Sequence, residues 1–211
     1  MSRAPAAAGA RRAAFVLAAA QAVLGSANPI SVSIGALAGH YLLAAEKSLA
    51  TLPVTGFTVG VAVGAIPAAA IVRRAGQRAG FMAGAAVTGL GGALAALGLF
   101  EHSFRLFVLG LLVIGLGGAF VQQFRFAAAD NAPSAFKARA ISLVLAGGVV
   151  TAILGPQIVI FTRELLAPVM FAGSFVAVVG LAAVGAMIST ARLNAATNAQ
   201  GTLDELLVIA A

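Results

Sequence analysis

Polar side chains are scarce in this chain, and those that recur at helical spacing are mostly uncharged. Gln21, Gly25, Asn28, Ser31 and Gly35 follow at intervals of four, three, three and four residues, which places them on one face of a helix. Gly118, Gln122 and Arg125 repeat that spacing further along. Amides, a hydroxyl and one guanidinium can hydrogen-bond a small neutral or anionic solute, whereas acid–base chemistry would need a titratable pair that neither stripe contains. Gln157, beside Gly155-Pro156, adds one more amide. Cysteine is absent, which excludes thiol catalysis and disulfides. His40 and His102 are isolated, with no second ligand at metal spacing, so neither a metal site nor a cofactor is expected. No serine has a base at a workable spacing, and the chain does not read as an enzyme.

These groups must be held in an unusual solvent. The chain is 61% hydrophobic and 9% charged, against roughly a quarter charged in soluble domains, and this makes it an all-α integral membrane protein by composition. A membrane helix needs about twenty apolar residues. Six segments qualify: Ala13 to Ala38, Thr51 to Val72, Gly80 to Phe100, Leu106 to Ala128, Ile141 to Phe161 and Val169 to Ala191. The first is read as a membrane helix rather than a cleaved signal, because its apolar run continues past Asn28 to about Leu43. The domains expected are a cytoplasmic segment over 1–12, a six-helix bundle over 13–192, and a cytoplasmic tail over 193–211. In the tail, Thr202 to Glu205 resemble a capping box before a short helix. Abundant Gly and Ala suit helices that approach closely. Polar groups cost free energy in hydrocarbon unless they face a partner or a wet cavity, so the first and fourth helices should line the interior.

The stretch Ile71 to Gly80, IVRRAGQRAG, reads as a tight basic hairpin between two spans. With the N-terminus inside, one face collects Arg3, Arg11, Arg12, Arg73, Arg74, Arg78, Arg125, Lys137, Arg139 and Arg192, and the other only Lys47, Arg105 and Arg163. That asymmetry predicts a multi-pass protein of the cell membrane, the inner membrane in a bacterium, with both termini cytoplasmic. The net charge of +7 is thus a topology signal and implies no nucleic-acid partner. Each outer loop sets one acid beside one cation: Glu46 with Lys47, Glu101 with Arg105, and Glu164 with Arg163.

Pro67 in the second segment and Gly155-Pro156 in the fifth are read as helix breaks near opposite membrane faces, as a three-plus-three inverted repeat would place them. The Ile71–Gly80 loop, with the region from the fourth into the fifth segment, resembles the major facilitator superfamily of secondary transporters. That family's loop signature has the form G-x-x-x-D-R-x-G-R-R. Aligned on Gly76, it matches Arg74, Gly76 and Arg78, while Ala69, Arg73 and Gln77 stand where the family has Gly, Asp and Arg. RFAAADNAPSAFKAR, Arg125 to Arg139, is similar to the connection that follows the family's fourth helix. Gly155-Pro156 resembles its antiporter-associated motif, with Gln157, Ile158 and Val159 in place of the following Gly-Gly, and Leu111 occupies the position of a helix-four arginine.

The resemblance covers residues 13 to 192 and implies a 3+3 inverted-repeat bundle equivalent to the first half of a twelve-helix carrier. It implies a substrate pathway through Gln21, Asn28, Ser31, Gln122, Arg125 and Gln157. It also implies a conformational latch at Arg73, Arg74, Gly76 and Arg78, for which Asp130, pairing with one of these arginines or with Arg139, would supply the missing acid. The bland alternatives stand beside these: Arg125 snorkelling or pairing with Asp130, Asn28 as interhelical glue, and Gln157 satisfying the broken helix backbone. The expected function is transport of an unidentified small solute by a half-length carrier. Its second wall would come from another six-helix half or a second copy. The competing reading is a non-transporting membrane scaffold or a degenerate remnant.

Overall fold

The computed structural model describes residues 3–43, 47–130 and 132–189, with side chains of the first helix described from Arg11 onward. The tail and its capping box lie outside the described residues. In hydrocarbon every backbone N–H and C=O must be satisfied within its own segment, and an Ala-, Leu- and Gly-rich chain meets that demand with helices. They are α1 (Arg3–Gly25), α2 (Ala27–Leu42), α3 (Leu52–Phe100), α4 (Phe104–Val121), α5 (Phe124–Asp130), α6 (Lys137–Thr162) and α7 (Ala172–Ser189). Among the described residues, five helical stretches are long and apolar enough to cross a membrane: Arg11–Leu42, Leu52–Phe100, Phe104–Asp130, Ser134–Thr162 and Ala172–Ser189.

Six segments were expected, and the difference lies in α3. At 49 residues it would be about 70 Å long if straight, more than twice the hydrocarbon thickness. It is not straight. Gly76 has φ 83° and ψ 165°, a conformation open to glycine and strained for other residues, and the chain reverses there. Val72 consequently packs on Gly80, eight residues away in sequence. The ten-residue basic loop read from the sequence is therefore one glycine, and Arg73, Arg74 and Arg78 sit exposed on the helix ends that flank it.

The helix breaks also move. Pro67 lies inside α3 and Pro156 inside α6, and neither interrupts its helix. A proline inside a helix deletes one hydrogen bond, which a membrane helix tolerates where its surroundings compensate. The first span breaks instead at Ser26, three residues before Pro29, whose ring nitrogen has no proton to donate to the Gly25 carbonyl. Ser26 donates its hydroxyl to Ala22 O at 2.6 Å, which shields the break. A second interruption separates α4 from α5, where Gln123 N–H bonds Phe120 O at 3.0 Å in a tightened turn.

Packing is by close approach of small residues. α4 lies against both arms of α3: Gly115 faces the Phe57 backbone on one side, and Gly110 faces Ala95 on the other. α6 lies along α1 and α2, with Gly147 against Ala18 and Gly155 against Pro29. α7 meets the second arm of α3 at Gly92 and α1 at Leu24. Three apolar clusters result among the described residues: the two larger each contain an edge-to-face aromatic pair, Phe107 with Phe175 at 5.2 Å and Phe81 with Phe124 at 4.3 Å, and the smallest joins Ala68, Ala119 and Phe120. Large apolar side chains also cover the outside, among them Ile66 at 81% exposed and Phe161 at 76%. Such a surface is stable against lipid and not against water.

Candidate functional site

The polar stripe of the first span divides at the Ser26 break. Below it, Gln21 of α1 faces a small cleft of about 50 Å³ that it shares with Val121, Gln122 and Arg125 and with Val144, Leu145 and Gly148 of α6. Gly148 leaves the Gln21 amide room, since a Cβ built there would lie 4.0 Å from Gln21 Nε2. Above the break, Asn28 turns its Oδ1 toward Gly118 of α4, one helical turn from Gln122. Gln21, Gln122 and Arg125 thus meet in one cleft, and Asn28 extends the polar seam along α4.

The other expected pathway residues lie elsewhere. Ser31 is fully buried and donates its hydroxyl to Ala27 O at 2.8 Å, within its own helix. Gln157 is exposed on α6, outside the cleft. Arg125 is exposed, with its guanidinium 5.0 Å from the centroid of the Phe126 ring. Among the described residues the ion pair is Arg163 with Glu164 at 3.1 Å, both more than half exposed, which contributes little. Asp130 makes no ion pair there with Arg73, Arg74, Arg78 or Arg139. Arg139 lines a different cleft with Arg11.

Thr151 is the residue that sequence reasoning missed. Its hydroxyl is shared between Gly147 O at 3.0 Å and Gln21 O at 3.1 Å, which ties α6 to the backbone of the residue that presents its amide to the cleft. The signal was present: Gly147, Thr151 and Gly155 form a four-residue repeat, the pattern of an interhelical face.

Two amides and a guanidinium supply several donors and two carbonyl acceptors, and no acid or base. No group of three or more His, Cys, Asp or Glu capable of holding a metal occurs among the described residues. The site can hold and orient a solute by hydrogen bonds.

No protein-family model matches the chain. It is 48% identical over 176 residues to the riboflavin transporter RfnT of Brucella anthropi, covering 82% of this chain and 44% of that protein. Two uncharacterized MFS-type transporters of Bacillus subtilis are also similar. YddS is 33% identical over 61% of this chain and 29% of its own length. YdeG is 31% identical over 71% and 34%. All three are named as transporters, and the chain spans less than half the length of each. The shared sequence, carried on a bundle of apolar helices, makes this chain a multi-pass membrane protein that belongs to the major facilitator superfamily, with a length that fits one half of such a member.

Proposed function

We propose that the chain forms the N-terminal half of an alternating-access carrier for riboflavin or a solute of that chemistry, with both termini cytoplasmic. The observation that carries this reading is the meeting of Gln21, Gln122 and Arg125 in one cleft. Its companion is the 48% identity to a riboflavin transporter across most of the chain. Riboflavin joins a flat heteroaromatic ring with carbonyl acceptors to a hydroxylated chain, and amides can both donate to it and accept from it.

At about 50 Å³ the cleft is far below the roughly 300 Å³ or more of a small-molecule site, so a second wall must complete it. That wall is a second six-helix half. The helix pairings support the two-fold relation such a carrier uses. Exchanging the first and fourth spans, the second and fifth, and the third and sixth turns the α6-to-α1 contacts into those of α3's first arm with α4. The same exchange turns the α3-to-α4 contacts of the second arm into the α7-to-α1 contact at Leu24.

The test is uptake of labelled riboflavin by cells expressing the chain with a complementary second half. Saturable uptake is expected, and Gln21→Leu with Gln122→Leu should raise KM about tenfold at unchanged membrane abundance, as loss of two hydrogen bonds of about 0.5–1.5 kcal/mol each requires. Wild-type KM in the double variant, or no saturable uptake by an assembly present in the membrane, would overturn the reading.

A further inference from the structure

A second cleft, of about 500 Å³, opens beside the α1–α6 seam at the basic end of the bundle. It is lined by Arg11 and Phe15 of α1, Phe136 before α6, and Arg139, Ser142 and Leu143 of α6. None of these residues lines the Gln21 cleft. The two arginines come from different helices and are exposed, and the first turn of α6 contains Lys137 and Arg139 and no acid. Among the described residues no carboxylate pairs with either arginine. Cations gathered at a helix N-terminus repel one another and oppose the helix dipole, so this arrangement favours a bound anion.

The apolar residues narrow the anion's identity. Phe15 lies one turn further into the membrane than Arg11, and Leu143 one turn further than Arg139. Phe15 is 51% exposed, and its ring centroid is 5.8 Å from the Arg11 guanidinium carbon. The cleft is therefore cationic at its mouth and apolar toward the bilayer. A free phosphate would use only the mouth. We propose that this cleft seats one anionic phospholipid, its phosphate between Arg11 and Arg139 and an acyl chain along Phe15 and Leu143. A bound lipid there would splint α1 to α6, the two helices that flank the Gln21 cleft.

The test is native mass spectrometry of the full chain in detergent, titrated with phosphatidylglycerol, with phosphatidylcholine of the same acyl chains, or with inorganic phosphate. One phosphatidylglycerol per chain is expected to bind more tightly than phosphatidylcholine, with inorganic phosphate competing weakly. R11Q/R139Q should weaken phosphatidylglycerol binding about tenfold to thirtyfold, as the loss of two lipid-facing arginines implies. R73Q/R74Q, which removes equal charge from the same end outside the cleft, should leave that binding intact. Ser142→Glu, which places a carboxylate in the cleft, should displace the lipid without removing either arginine. Equal binding of the two lipids, inorganic phosphate binding as tightly as phosphatidylglycerol, or wild-type binding in both R11Q/R139Q and Ser142→Glu would overturn the proposal. Equal weakening by R73Q/R74Q would overturn it too, because diffuse charge attraction would then suffice.

Discussion

Along α4, a Cβ built on Gly110 would stand 2.7 Å from Ala95 Cα in the second arm of α3, whereas along α6 Thr151 reaches α1 through a 3.1 Å hydrogen bond to the Gln21 carbonyl. The first seam is backbone against backbone. Its buried hydroxyl, Thr88 facing Gly117, has no hydrogen-bond partner. The second seam combines small residues with a hydrogen bond, and the Gln21 cleft and the Arg11 cleft flank it on either side. In lipid, helix association gains nothing from hiding apolar surface, so it must come from contact density or from polar pairing. A seam packed by contact alone leaves no room for a solute. One held partly by a hydrogen bond can remain open beside it.

The contrast can be broken by substitution. Gly110→Val should have the largest effect, a loss of about 1–3 kcal/mol as the helices are forced apart, read as a lower unfolding temperature of the detergent-solubilised protein. A wild-type transition would show that the α3–α4 seam is not closely packed. Thr151→Val keeps the shape and removes the interhelical hydrogen bond, and should cost about 0.6 kcal/mol. A cost as large as that of Gly110→Val would make the polar seam the stronger of the two. Thr88→Val should have the smallest effect, unchanged or slightly raised stability, because the hydroxyl it removes has no partner. Clear destabilisation would reveal a hydrogen bond at Thr88 and erase the distinction between the seams.

Much of the bundle was legible residue by residue. The apolar segments, the basic hairpin within Ile71–Gly80 and the packing role of the glycines follow from hydropathy, charge and side-chain size, whereas its narrowing to a single glycine at Gly76 came from the structure. The proline readings failed for a specific reason: Pro67 and Pro156 are accommodated within continuous helices, while Pro29 accompanies the break at Ser26. Proline's presence shows that one hydrogen bond is missing, but whether the helix breaks depends on what packs around it. The candidate site was half legible. Gln21, Gln122 and Arg125 converge, but Ser31 satisfies itself on Ala27 O and Gln157 is exposed on α6.

Hydropathy is a property of each residue and survives without knowledge of neighbours. By itself the sequence therefore determined the solvent this chain occupies, the segments long enough to span it and the residue types available to a solute. Which polar groups share a cleft depends on the rotational phase of each helix against the next, and that phase is set by how neighbouring helices pack. Only the tertiary structure decided that Gln21 meets Gln122, that Thr151 binds α6 to α1, and that Arg139 stands with Arg11 in a separate cleft.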